Sequence, residues 1–151
     1  MKRLLILFGA MLLGVASLAA QDEQYKELGK KYDRRKGYEV VSVGRAAIRM
    51  AALTSTDKAG RELMRKIDLL VSVSHKGSNK GPLRSDFDQV VRGYNSVGEF
   101  RNDTTEVHLF MNTDNTGFSM YSLSPSGESV LLLAGRELSL KEMLPKELML
   151  E

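Results

Sequence analysis

The chain has 151 residues, of which 42% are hydrophobic and 27% are charged; this composition is typical of a folded domain and excludes a disordered tail or a membrane channel. It has no cysteine, which excludes a disulfide scaffold, thiolate metal ligands and thiol catalysis. Outside the first 20 residues the chain carries 20 basic and 19 acidic side chains, so its charge does not indicate a nucleic-acid binder.

The N-terminal segment, residues 1–20, is typical of an export signal. It has a positive start, an apolar run of twelve residues over 4–15 and a small-residue cleavage region, so we expect cleavage near Ala19 or Ala20. The run is shorter than the roughly 20 residues that span a bilayer, and no cysteine follows it that could carry a lipid. The sequence therefore predicts a periplasmic or secreted protein with one domain over residues 21–151. We expect neither a lipoprotein nor a transmembrane segment in the mature chain.

The first half of this domain predicts a helix followed by a strand-helix-strand unit. Apolar periodicity, capping residues and stop glycines are the signals. They predict a helix over 21–36, a strand over 38–43, helices over 45–53 and 58–66, a strand over 67–74, and a helix that begins after Pro82 and ends near Gly93.

From Asn95 onward the hydrophobic period changes to two, which predicts an antiparallel meander and then a short final helix. The predicted strands cover 97–101, 105–112, 118–124 and 129–134, and the helix covers 137–144. In the second of these strands Val107 and Leu109 share one face, while His108 and Phe110 share the other. We therefore expect an α+β fold with a mainly antiparallel mixed sheet, a C-terminal β-meander and helices packed on one face.

This order of elements resembles the bacterial exported-protein family catalogued as domain of unknown function 4252. The matching pieces are Lys31-Tyr32-Asp33 before Gly37, the run from Val41 to Met50, the helix ending at Tyr94, the β-runs 106–111 and 118–121, and the segment 129–135 followed by 138–142. The resemblance covers nearly the whole mature chain. It implies a small α+β envelope protein of Gram-negative bacteria, and it brings no established activity or catalytic residues.

The two histidines, His75 and His108, are the only residues on which we can base an enzyme hypothesis. A hydrolase would need a carboxylate partner for one of them, and no motif spacing supplies it. No Gly-x-Ser-x-Gly sequence marks a nucleophilic serine. We therefore expect a non-enzymatic protein and keep a hydrolase using His75 or His108 as an alternative.

Two polar loops resemble the beginnings of ligand sites. Residues 112–117 imitate the start of a calcium loop, but Leu123 stands where the bidentate glutamate should be, so we expect a hairpin turn. Residues 77–81 have the glycines and lysine of a phosphate cradle without its spacing, so we expect a flexible connection there. The sequence thus predicts no metal and no cofactor.

Charge is unevenly distributed along the mature chain. Residues 21–66 carry 12 basic and 7 acidic side chains, whereas residues 67–151 carry 8 basic and 12 acidic ones. Four cations of the first predicted helix form a cluster that could dock an envelope protein or an anionic surface: Lys30, Lys31, Arg34 and Arg35. The alternative is a solvated helix face with cations at a helix C-terminus.

Asp103-Thr104-Thr105 lies between two predicted strands, where a modifying enzyme could reach it. Thr104 is therefore a candidate for O-glycosylation, and an ordinary polar turn is the alternative.

Taken together, the sequence predicts an exported, non-enzymatic interaction or regulatory module of the cell envelope. Besides the basic helix, the expected interaction surface is the sheet face opposite the helices, which should carry His108, Phe110 and Tyr121. The second alternative is a small-ligand or lipid carrier with a pocket between helices and sheet. The sequence does not define the oligomeric state.

Overall fold

The computed structural model describes residues 21–76 and 81–143. Its elements, in chain order, are α1 over residues 21–33, β1 Tyr38–Gly44, α2 Arg45–Thr54, α3 Lys58–Lys66, β2 Ile67–His75, α4 Pro82–Val90, β3 Asn95–Arg101, β4 Glu106–Met111, β5 Gly117–Ser124, β6 Gly127–Gly135 and α5 Leu140–Met143. The predicted export signal, its cleavage region and most of the 77–81 loop lie outside the described residues. Among the described helices, none is long and apolar enough to cross a membrane.

The six strands form one sheet in the order β1-β2-β6-β5-β4-β3, and every neighbouring pair is antiparallel. Strands β3 to β6 form the predicted meander, and β6 then pairs with β2. The predicted fold class, α+β with a mainly antiparallel sheet and a C-terminal β-meander, is confirmed. Within the part of the chain that the structure describes, this order makes β1 and β3 the edge strands of the sheet.

Helices α1 and α4 cover one face of the sheet, which we call the first face. Their inward side chains recur three or four residues apart, as one side of a helix requires. They pack on alternate residues of β2, β5 and β6. The fully buried members from the two helices are Tyr25, Tyr32, Leu83 and Phe87.

Helices α2, α3 and α5 lie on the opposite, second face. Ile48 of α2 is buried there against Ile67, Phe118 and Leu133, with Leu63 partly buried beside them. The sheet therefore has helices on both faces, where the sequence led us to expect them on one. The reason is that residues 45–66 fold into two helices packed against each other on the face that α1 and α4 leave open.

The turn between β4 and β5 holds the beginning of the described part of α1. Asn112 Oδ1 accepts hydrogen bonds from the backbone N–H groups of Thr116, at 2.9 Å, and Gly117, at 3.0 Å. Gln21 donates to the Thr116 carbonyl at 3.1 Å and accepts from Asn112 Nδ2 at 2.7 Å. The segment that imitates a calcium loop is therefore a hairpin turn, and its amide side chain is engaged in the turn itself.

Candidate functional site

The three residues expected on an open sheet face lie on the covered first face. Tyr121 is fully buried, and the Phe87 ring of α4 lies 5.5 Å from the Tyr121 ring and 5.7 Å from the Phe110 ring, measured between centroids. His108 is also buried, and its Nε2 lies 2.6 Å from Glu106 Oε1. The predicted alternation in β4 is correct, but its assignment to an open face is wrong because α4 packs over these side chains.

His75 lies within hydrogen-bonding distance of a buried carboxylate, as the hydrolase alternative requires. Its Nε2 is 2.6 Å from Oε1 of Glu128, whose side chain is fully buried, and the Tyr121 hydroxyl donates to the other carboxylate oxygen. Burial and this hydrogen bond to Glu128 raise the pKa of Tyr121. The antiparallel register pairs His75 with Glu128, and it requires glycine at 127 because an added Cβ would overlap the His75 carbonyl.

Both ring nitrogens of His75 lie near oxygens, one of a carboxyl group and one of a backbone carbonyl. Nε2 faces Glu128, and Nδ1 lies 3.2 Å from the backbone carbonyl of Lys76. Among the described residues, no serine hydroxyl is bonded to His75. The arrangement therefore fixes the end of β2 against β6, and it leaves neither nitrogen facing a nucleophile that it could deprotonate.

An open cleft of about 790 Å³ lies beside this cluster at one end of the sheet. It is lined by polar side chains of β1, β2, β5, β6 and the turn between β5 and β6, among them five serines: Ser74, Ser122, Ser124, Ser126 and Ser129. The second alternative from the sequence is a carrier pocket between helices and sheet. Apolar side chains of the two cores fill that region. Within the described residues, no group of three or more His, Asp or Glu side chains is arranged to hold a metal.

Half of the predicted basic cluster is engaged within the fold. Lys31 forms an ion pair of 2.9 Å with Asp86 of α4, and the Arg35 guanidinium lies 4.9 Å from the centre of the Tyr32 ring. Burial would raise the pKa of Asp86, but hydrogen bonds from Tyr32 and Lys31 hold it below its usual value. Lys30 and Arg34 are exposed. The cluster therefore serves partly to join α1 to α4.

Thr104 lies in the exposed turn between β3 and β4. Asn102 Oδ1 accepts from the backbone N–H groups of Thr104 and Thr105 and from the Thr104 hydroxyl, the last at 3.3 Å. This is the local hydrogen-bonding pattern of an Asx turn. Modification of Thr104 stays a prediction.

The sequence did not single out the two edge strands, which expose the sheet's unpaired backbone groups. Edge β3 is irregular and charged: its register with β4 shifts between Ser96 and Gly98, and it carries Glu99 and Arg101. Edge β1 pairs with β2 over seven consecutive residues without a shift, and Glu39 is its only charged residue. Natural edge strands are usually protected by charges, bulges or proline. By these criteria β1 is the less protected edge.

Among the described residues, three of the four large exposed hydrophobic residues belong to β1 and the helix that follows it. Val41 of β1 is 53% exposed, and Met50 and Leu53 of α2 are 70% and 80% exposed; the fourth, Phe100 of β3, is 54% exposed. A single exposed apolar residue is ordinary, whereas a contiguous apolar patch indicates a contact surface. The sequence predicts the strand and the helix of this region, but it does not predict that these hydrophobic side chains are exposed.

Comparison of the chain with protein-family models, with curated proteins and with solved structures finds no match. The resemblance to the family of domain of unknown function 4252 stays a prediction.

Proposed function

We propose that this protein is a non-enzymatic interaction module of the bacterial cell envelope and that it binds a protein partner by adding the partner's strand to β1. The observation that carries the proposal is the regular, nearly uncharged outer edge of β1, with Val41 exposed at its centre. An extended peptide can pair with the free N–H and C=O groups of such an edge, and its side chains then contact the neighbouring surface.

The two sides of β1 give a partner different contacts. Tyr38 and Val40 pack into the core of the first face under α1, so this side holds the strand in place. On the second face Val43 is partly buried, while Val41 and Glu39 are exposed. A partner strand would therefore pair with a backbone that the core keeps rigid, and it would find an apolar and an acidic contact side by side. A partner with an apolar and a basic residue two positions apart fits this surface.

The hydrolase alternative is supported by two distances of 2.6 Å between a histidine Nε2 and a carboxylate oxygen. One joins His108 to Glu106, and the other joins His75 to Glu128. Two features favour a structural role for the second pair: both ring nitrogens of His75 face oxygens, and the Glu128 carboxylate is fully buried behind them. The carrier alternative needs an enclosed apolar cavity, whereas the cleft near His75 is open and is lined mainly by polar residues. These observations favour an interaction module over either alternative.

The proposal is tested by photo-crosslinking in the native envelope. The protein carries p-benzoylphenylalanine in place of Val41 in one sample and in place of Phe100 in another, because both sites are about half exposed on an edge strand. We expect a reproducible protein adduct from position 41 and none from position 100.

A charged variant at the β1 edge provides a second test, and the same change at the β3 edge is its matched control. Val41→Lys places a solvated cation at the centre of the β1 edge, a substitution that opposes edge pairing without changing a buried residue. It should abolish capture by a crosslinker placed at Glu39, whereas Phe100→Lys should not. Equal adducts from both edges, or capture that persists in Val41→Lys, would overturn the proposal.

A further inference from the structure

The pair of helices on the second face, α2 and α3, presents apolar side chains away from the sheet. Ile48 and Ala52 of α2 are buried, whereas Met50 and Leu53 are the two most exposed large hydrophobic residues of the described chain. Leu53 is next to the last residue of α2, so it lies close to the turn that leads into α3. We call residues 45–66 the helical hairpin.

The helical hairpin is also strongly cationic. It contains six basic and two acidic residues. Arg45 and Arg49 pair with Asp68, and Lys66 pairs with Glu142. The remaining cations, Lys58, Arg61 and Arg65, make no ion pair within residues 21–76 and 81–143.

The three unpaired cations share one side of α3. Their spacing of three and four residues places them on the same side of a helix. Leu63 and Met64 pack toward the sheet, so Lys58 and Arg65, which are exposed, face outward. Lys58 begins α3 four residues after the last residue of α2. One helical hairpin therefore carries both exposed apolar side chains and unpaired cations.

We propose that the helical hairpin docks on the surface of an anionic lipid bilayer, with Met50 and Leu53 inserted among the headgroups and Lys58, Arg61 and Arg65 contacting lipid phosphates. Helices that lie in the membrane interface combine an apolar side with flanking Lys and Arg residues in this way. The hairpin carries these exposed apolar side chains on the side of α2 opposite its buried residues, and a bilayer accommodates such a side without a matching groove. This inference goes beyond the proposed function, because it concerns the helices that follow β1 rather than the backbone edge of β1, and a different class of partner.

The basic cluster of α1 is a separate surface. Helices α1 and α4 lie on the first face, and the helical hairpin lies on the second, so the two groups of cations are on opposite sides of the sheet. Lys30 of α1 and Arg34, the residue after α1, therefore provide a matched control, since their removal lowers the net charge without changing the hairpin.

The first experiment measures cosedimentation of the purified protein with vesicles at low salt. Vesicles are made either of phosphatidylcholine with phosphatidylglycerol or of phosphatidylcholine alone. Each cation near an anionic surface strengthens binding about fivefold, so the triple variant Lys58→Gln, Arg61→Gln, Arg65→Gln should bind the anionic vesicles roughly 100-fold more weakly. The control Lys30→Gln, Arg34→Gln should bind like the unaltered protein, and high salt should weaken binding.

The second experiment tests insertion directly. Because the chain has no cysteine, a single environment-sensitive fluorophore can be attached at Leu53→Cys or at Phe100→Cys. On anionic vesicles the label at 53 should shift to shorter emission wavelength, and the label at 100 should not. Three results would overturn the proposal: no binding to anionic vesicles, equal binding to neutral ones, or a greater loss of binding from the α1 control than from the α3 variant. These results leave the β1 crosslinking result unaffected, so the two proposals fail separately.

Discussion

Replacement of the buried carboxylate tests whether the cluster of His75, Tyr121 and Glu128 is structural. Glu128→Leu removes both acceptor oxygens and leaves the Tyr121 hydroxyl and His75 Nε2 without their partner. A hydrogen bond to a charged group contributes about 1.5–3 kcal/mol, so the two together correspond to about 3–6 kcal/mol. The His75 side chain is 13% exposed and can regain some hydration, which favours the lower part of that range. We expect the free energy of unfolding to fall by about 3 kcal/mol.

Urea denaturation at neutral pH measures this loss, with Tyr121→Phe and Glu128→Leu, Tyr121→Phe completing a double-mutant cycle. The single variant Tyr121→Phe removes one donor and should cost about 1–2 kcal/mol. In the double variant the two losses should not add, since both single variants remove the same hydrogen bond. A loss below about 1 kcal/mol for Glu128→Leu, or full additivity, would refute the structural reading of the cluster.

Three further predictions concern the core and its polar contacts. Gly127→Ala should prevent stable folding, as judged by circular dichroism, because the new Cβ would overlap the His75 carbonyl and the φ of +154° is unfavourable for alanine. Phe87→Ala should lower the free energy of unfolding in urea by about 3–5 kcal/mol, since it empties the contact between α4 and the meander. Because the pKa of Asp86 is below its usual value near 3.8, the stability it contributes is complete above that pH and is lost as the pH falls through the lowered pKa. In Asp86→Asn the free energy of unfolding should therefore fall less steeply as the pH is lowered below about 4. An unchanged dependence on pH would contradict the hydrogen bond from Tyr32 as a cause of the lowered pKa of Asp86.

Much of the fold could be predicted because its signals are local. Turn residues and alternation located the strands of the meander, and caps and glycines located the helices to within a few residues. Which face of the sheet the helices cover depends on tertiary packing, and no local signal in the sequence reports it. Val107 and Phe110 lie on opposite faces of β4, but both are apolar. The sequence pattern therefore does not indicate which of the two faces α4 covers. For this reason the sequence pattern predicts an open face for Phe110 and Tyr121, whereas α4 covers them in the structure.

The proposed interaction edge was missed for a related reason. Whether β1 is central or at an edge depends on β2 pairing with β6, two segments far apart in the chain. Its β-branched composition suits either position. Once the strand order is known, the absence of charges other than Glu39 becomes informative. The pairing of His75 with Glu128 likewise follows from register and has no sequence motif.

Hydrogen exchange of the isolated protein and of its complex with the crosslinked partner tests the central claim most directly. Strand addition at β1 would protect the outward-facing amides of residues 38–44 and leave those of β3 unchanged, because each new backbone hydrogen bond slows exchange. That is the result we predict. Protection of β3 or of the helices, with β1 exchanging as fast as in the isolated protein, would contradict it.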